Sequence, residues 1–256
     1  MNLLSFAHNT FSQMGEDGIT SEVLRLVGTT ANPCAVDVGA GDGVLLSNTR
    51  QVVACGWSSV QIEGNPERYR LLHDLYRDRA DVTTICAAVG WGQGDSIDAL
   101  LDRHAPQTPP VFDLFSLDVD GTELSIWYAM KKYRPRLVWM EHNPMWPHFI
   151  VRTQAQDPAV NKGASLAATV ELGRTKGYEL VCCTAWNALF VTAELYPLIP
   201  LDPVAPNDIR VLGSHYPQYR SWRAWDYDGT EHAGGPQHCI WPTEDGKYAG
   251  RLDREG

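Results

Sequence analysis

Three acidic stretches, each closing a short apolar run, carry the residues that could do chemistry in this chain. The first is Val36-Asp37-Val38-Gly39-Ala40-Gly41-Asp42-Gly43. It lies between an apolar stretch and a helical one, the setting that a ligand-binding turn requires. Its glycines permit the turn and let a ligand approach the backbone closely. The spacing is not that of a dinucleotide fingerprint, because the third glycine comes one position early and Val44 stands in its place. Asp37 argues the same way, since a carboxylate is unwelcome beside pyrophosphate and favourable beside a cation. Glu63 ends the next apolar run, where a carboxylate can accept both hydroxyls of a ribose. A ligand carrying a ribose, an amino group and a sulfonium, as S-adenosylmethionine does, matches this set.

The second and third stretches are Asp118-Val119-Asp120-Gly121 and Glu141-His142-Asn143-Pro144. Read as strand ends at one sheet edge, they bring Asp118, Glu141, His142 and Asn143 into one crevice with the glycine turn. Carboxylates with a carboxamide oxygen suit a hard cation such as Mg²⁺, and His142 would shift the preference toward Mn²⁺, Fe²⁺ or Zn²⁺. His142 is also the best-placed general base, with His148 second; Asp118 and Glu141 complete the catalytic candidates. The plain alternatives are a helix N-cap for the Asp118 stretch and a turn initiated by Asn143-Pro144.

The elements that would position these residues alternate. Apolar runs at 34–38, 58–63, 82–89, 112–117 and 137–140 read as strands. Amphipathic stretches at 18–27, 46–54, 66–77, 96–103, 123–133 and 165–176 read as helices, with Pro66 in a first turn and Gly177 at a C-cap. Residues 178–184 and 188–191 form a closing hairpin. Such alternation predicts an α/β fold with a mainly parallel sheet, helices on both faces and an antiparallel closing hairpin. The reading divides the chain into a ligand-binding domain, 1–199, and an irregular extension or cap, 200–256.

The net charge of −10 makes the chain a poor candidate for nucleic acid, which needs a positive phosphate-binding surface. No apolar run is long enough to span a bilayer. The N-terminal stretch lacks the basic region and apolar core of a secretory leader. The six cysteines form no C-x-x-C pair, and Cys34, Cys86, Cys182 and Cys183 read as reduced, buried thiols. The expectation is a cytoplasmic protein with a small-molecule partner, no nucleic acid and no membrane; the unassigned extension would serve a homodimer contact.

Taken together, the residues resemble the class I S-adenosylmethionine-dependent methyltransferases, and more narrowly the FkbM-like group. The resemblance runs from Phe11-Ser12-Gln13-Met14-Gly15-Glu16-Asp17 through the glycine turn, Ser47-Asn48-Thr49, Gly56-Trp57 and Ile62-Glu63-Gly64-Asn65-Pro66 to Leu117-Asp118-Val119-Asp120-Gly121. It implies a Rossmann-like seven-stranded sheet. It implies that Asp37, Gly39 and Gly41 hold the amino-acid end of the cofactor, that Glu63 holds its ribose, and that the segment at Gln13 closes over it, with Asn48 and Asp118 completing the cofactor contacts. Metal-assisted O-methyltransferases of similar fold use acids at the ends of strands four and five, which implies a divalent ion, Mg²⁺ or another, at Asp118, Glu141, His142 and Asn143. The implied activity is O-methylation of a small-molecule or natural-product acceptor. A cofactor-binding protein doing another transfer or a cyclisation, and a non-catalytic binding module, are the other uses of such a chain; the four acids Asp37, Glu63, Asp118 and Glu141 argue against a decayed site.

Overall fold

In the computed structural model, the described residues are 1–146, 150–160 and 162–201, with the backbone of four short strands beyond them. Seven strands form one sheet: β1 (Cys34–Val38), β2 (Ser58–Glu63), β3 (Val82–Cys86), β4 (Leu114–Leu117), β5 (Leu137–Glu141), β6 (Tyr178–Cys183) and β7 (Asn187–Thr192). Their order is β3-β2-β1-β4-β5-β7-β6. All neighbouring pairs from β3 to β5 are parallel, and β7 runs antiparallel to both β5 and β6. This is the Rossmann-like seven-stranded arrangement, and its one reversed strand arises because β6 and β7 are a hairpin.

The strands form where the apolar runs predict them. β1 and β4 are buried along their whole length, as strands covered on both faces must be. The helices are α1 (Glu16–Val27), α2 (Arg50–Ala54), α3 (Pro66–Tyr76), α4 (Ile97–His104), α5 (Glu123–Ala129) and α6 (Leu166–Thr175). One face buries Ile19 and Val23 of α1 and Val52 of α2 against Ala35, Leu114, Leu137 and Trp139. The other buries Leu101 of α4, Trp127 of α5 and Val170 of α6 against Val36, Phe115 and Phe190. Side-chain polarity starts the helices: Asn65 accepts from the amides of Glu67 and Arg68, Ser96 from Ala99, and Ser165 from Ala168.

Three boundaries differ by three or more residues from the sequence expectation; one is the helix expected over 123–133, which ends at Ala129. The helix expected over 46–54 is only α2, because Asp37 and Asp42 hold residues 44–49 as a loop. The strand expected over 82–89 stops at Cys86, which is exposed at the sheet's edge, so it is not the buried thiol expected; Cys34, Cys182 and Cys183 are buried and in no disulfide. Among the described residues no helix is long and apolar enough to cross a membrane. Beyond residue 201, Trp222–Trp225 pairs with Glu231–Gly234 and Ile240–Pro242 with Tyr248–Arg251, both antiparallel. The reading of 200–256 as a cap falls otherwise outside the described residues, as does His148.

The chain winds outward from β1 to β3, then returns to lay β4 against the other side of β1. That reversal opens a crevice at the carboxyl ends of β1 and β4, where ligands bind in open α/β sheets. Trp127 anchors the helix that follows β4; it is fully buried and packs edge-on to Tyr178 and tilted against Phe190. Trp127→Ala is expected to lower unfolding free energy by about 3–5 kcal/mol, measured by urea titration; a change under about 1 kcal/mol would show that this core does not hold α5.

Candidate active site

Each glycine of the turn after β1 has its own reason. A Cβ on Gly39 would stand 1.6 Å from the carbonyl oxygen of Asp118, so only glycine lets the ends of β1 and β4 meet. Gly39 and Ala40 both donate to the carbonyl of Ile62, which fastens the turn to β2. Gly43 faces Leu72, Leu75 and Tyr76 of α3, where a Cβ would crowd the helix. Gly41 has positive φ and nothing within 4 Å of where its Cβ would be, so its face of the turn is open.

The acids around the turn differ in what they hold. Asp37 is buried, and its Oδ2 accepts from Thr49 Oγ1 at 2.6 Å and Ser47 Oγ at 3.3 Å. Desolvation raises its pKa, against those hydrogen bonds. Asp37 therefore anchors the loop 44–49, not an open contact for the amino-acid end of a cofactor. Glu63 accepts from the Gly41 amide at 2.8 Å through Oε2 and from the Asn65 amide at 2.6 Å through Oε1. It lies beside the open face of the turn, at the end of β2, as expected. Asn48 is buried, with Nδ2 donating to Ser116 Oγ at 3.4 Å and Oδ1 sealed without a partner.

The segment before α1 is built by two acids in that helix's first turn. Asp17 Oδ2 accepts from the amides of Thr10, Phe11 and Ser12 at 2.6–2.9 Å. Glu16 is fully buried; its Oε2 takes the Met14 amide and its Oε1 takes Thr184 Oγ1 and Asn187 Nδ2, at the β6–β7 turn. Gln13 is carried outward on this loop and is exposed. The Arg50 guanidinium lies over the rings of Phe11 and Tyr76, at 5.7 and 5.2 Å from their centroids, joining the same segment to α2 and α3.

At the ends of β4 and β5 the structure brings together Asp118, Glu141 and a residue that the sequence reading did not select, Glu123 of α5. One carboxylate oxygen from each lies within 4.8 Å of the others. Glu123 is fully buried, and its Oε1 accepts from the amides of Val119 at 3.0 Å and Gly121 at 2.7 Å. Those bonds curl the chain after β4 and put Asp120 in the left-handed region at φ 60°. Glu123 Oε2 is sealed from water without a hydrogen-bond partner.

Three ionised carboxylates at this separation repel pairwise by roughly 3 kcal/mol at an effective dielectric of ~20, so the cluster must bind protons or a cation. Burial, with repulsion from neighbouring acids, raises the pKa of both Asp118 and Glu141. Glu123 is raised to about 7, chiefly by burial. The donor set is oxygen only and fits a hard cation.

His142 and Asn143 do not join this cluster, which corrects the expected ligand set. Adjacent strand residues point to opposite faces, so His142 turns away from Glu141. Its Nε2 lies 3.2 Å from Cys183 Sγ, and burial lowers its pKa to about 4, leaving it neutral. Asn143 is spent on its own loop, donating to the Lys162 carbonyl and accepting from the Met145 amide, both at 2.8 Å.

No family model matches the chain, and no curated protein matches it. Among solved structures it is similar to the METTL16 MTase domain, at 15% identity and a TM-score of 0.42, over 68% of this chain and 66% of that one. It thus spans just under two thirds of that structure's length. It is also similar to a SAM dependent methyltransferase from Aquifex aeolicus, at 12% identity and a TM-score of 0.41, over 67% of this chain and 87% of that one. A third is the N-terminal domain of EvdMO1 with SAH bound, at 12% identity and a TM-score of 0.42, over 69% and 80%. The fold rests on the strand order of this chain itself.

Because Glu123 has its pKa raised on folding, its contribution to stability is complete below the unfolded value near 4.5 and is lost as pH rises through about 7. With divalent ions chelated, Glu123→Gln should raise unfolding free energy over the wild type by about 3 kcal/mol at pH 8.5 and by little at pH 4.5. Chemical denaturation at the two pH values reads this; a gap that does not widen with pH would show that Glu123 is not an uncompensated acid.

Proposed function

We propose that this chain is an S-adenosylmethionine-dependent methyltransferase that methylates a hydroxyl of a small-molecule acceptor. The observation that carries the reading is the placement of Glu63 beside the open face at Gly41, in the crevice where the sheet order reverses. Glu63 already takes two backbone amides, and its remaining lone pairs are available to a ribose diol at the end of β2. The amides and open backbone of the turn lie where the rest of the cofactor would pass. The polar end of the cofactor would meet the loop at Asn48, whose Oδ1 has no partner, and the Asp118 end of β4. Asp37 would act on that loop from behind. Gln13, exposed on its anchored segment, would close the site from above.

The cofactor when bound supplies an activated methyl group. The chain's own task is to hold the acceptor in line and to take the hydroxyl proton. Positioning of this kind is worth up to ~7–11 kcal/mol. With no ion bound, the proton's destination in our reading is the Asp118–Glu141 pair, whose raised affinity for protons suits an acceptor hydroxyl better than an ordinary carboxylate would. His142, buried against Cys183, is not used. A divalent ion, where bound, would be held by Asp118, Glu123 and Glu141 and would favour the acceptor's alkoxide form. The FkbM-like assignment, an acceptor from natural-product chemistry, a cytoplasmic setting and a homodimer belong to the same proposal; they rest on the sequence motifs and composition.

Calorimetric titration with S-adenosylmethionine and S-adenosylhomocysteine tests it. The wild type is expected to bind both in the micromolar range, and Glu63→Ala to weaken both by at least about tenfold, or 1.4 kcal/mol. Absence of binding to either compound would sink the methyltransferase reading.

A further inference from the structure

The acids at the ends of β4 and β5 lack counter-ions. Among the described residues, no Lys, Arg or His pairs with Asp118, Asp120, Glu123 or Glu141, whereas Asp81, Asp102 and Asp113 each meet a cation. We propose that the crevice selects its acceptor by charge: a hydroxylated molecule with an apolar body and an ammonium group, the ammonium held against Asp118 and Glu141.

Two separate observations meet here. One is the state of the crevice floor. Asp118, Glu123 and Asp120 all repel charge on Glu141. Glu123 is fully buried, and its Oε2 has no hydrogen-bond partner, so any charge it carries is neither solvated nor paired. It acts on the crevice from behind, while Asp118 and Glu141 are half-buried and reachable. The other observation is the rim. Met14, Leu45, Leu46, Met145 and Trp186 are exposed by 40–71%, and all stand on loops at the carboxyl edge of the sheet. Those loops are fastened. Glu16 joins the Met14 amide to Thr184 and Asn187, the Trp186 carbonyl accepts from the His142 amide, Asn143 holds the Met145 amide and Asp42 the Leu45 amide. Apolar side chains held outward around an acidic floor fit a molecule that is apolar along its body and positive near its reacting end.

An ammonium and a hydroxyl on one acceptor can share this floor. Asp118 and Glu141 together offer about four carboxylate oxygens, enough for the three N–H donors of an ammonium and for the hydroxyl proton. A protonated nitrogen has no lone pair, so holding the ammonium as a cation also directs methyl transfer to the oxygen. An acceptor bearing a carboxylate or phosphate at the same place would meet repulsion from the acids, which rejects it. The ammonium and a divalent ion are alternatives at one place; the ammonium arrives with the acceptor and leaves with the product. Methyl transfer to such an acceptor rests on the methyltransferase reading; the charge preference does not.

The test is calorimetric titration of the full-length chain with tyramine, p-ethylphenol and p-hydroxyphenylacetate, which share a phenol and differ in charge. It is run with divalent ions chelated, with and without S-adenosylhomocysteine, at about pH 7.5, where an amine is charged and a phenol is not. Tyramine is expected to bind saturably and at least about tenfold more tightly than p-hydroxyphenylacetate, with p-ethylphenol between them. Glu141→Gln and Asp118→Asn, each shown to be folded by a thermal melt, should narrow that gap to within about threefold. Asp78→Asn removes the same charge from an exposed position at the amino edge of the sheet and should leave the gap unchanged. Trp186→Ser and Met145→Ser should weaken all three ligands alike. No saturable tyramine binding, equal affinity for the three compounds, or a gap that persists in folded Glu141→Gln and Asp118→Asn overturns the proposal; unchanged affinities in both rim variants remove the apolar body from it. A charge preference without binding of S-adenosylhomocysteine removes the methyltransferase reading alone, and the converse removes this inference alone.

Discussion

The approach of two backbones, Gly39 at the end of β1 and the carbonyl of Asp118 at the end of β4, sets the dimensions of everything built around the crevice. The Asp118 amide bonds the Val38 carbonyl at 3.0 Å, and the space for a Cβ on Gly39 does not exist. Contact this close forces the glycine turn to bend toward β2, where Gly39 and Ala40 share the Ile62 carbonyl. It also fixes where β4 releases the chain, hence where Asp118 stands. A side chain at position 39 would have to separate the two strands whose divergence makes the site.

Polar groups behind the turn hold it without competing for its open face. Asp37, Ser47 and Thr49 form a buried knot, and Gln61 of β2 adds a bond from Nε2 to Thr49 Oγ1 at 3.2 Å. The loop from 44 to 49 is thereby fixed at its end, and Asp42 fixes its start by accepting from the amides of Val44 and Leu45. Between those anchors Leu46 adopts φ 58°, a conformation that a leucine enters only when its neighbours leave no alternative. Binding geometry is thus set by groups that a ligand need not touch.

The fold was legible because its signals are local. Apolar runs located all five parallel strands of the β3–β5 block, four of them marked by an acid at or near the end, and the two closely spaced runs at 178–184 and 188–191 located the hairpin. The acids at 63, 118 and 141 were legible as neighbours of one crevice because strand ends are where such residues converge. What the sequence did not show depends on direction and on distance along the chain. His142 follows Glu141 directly, and strand alternation sends one side chain toward the crevice and the other away; reading the two as one cluster ignored that period. Glu123 was hidden by an ordinary role, since an acid in a helix's first turn suits the helix dipole and attracts no notice. Its bonds to Val119 and Gly121 are what turn it back toward Asp118. Asp37 was assigned to the ligand because its neighbours Ser47 and Thr49, ten and twelve residues on, did not read as its partners.

Glu16 and Asp17 are adjacent in the chain but finish their work at very different times during synthesis. Asp17 collects the amides of residues 10–12 and needs only what has already emerged. Glu16 needs Thr184, 168 residues later, and Asn187 beyond it. Until the final hairpin is made, a buried carboxylate at the first helix has one local amide and no hydroxyl or carboxamide to meet it. A growing chain that folds from its N-terminus can therefore lay down β1 to β5 and the glycine turn, yet the rim carrying Gln13 acquires its last support only when β6 and β7 arrive. The ribosome releases the parallel strands before the hairpin that braces the edge of the crevice, so the order of that edge reports that the sheet is complete.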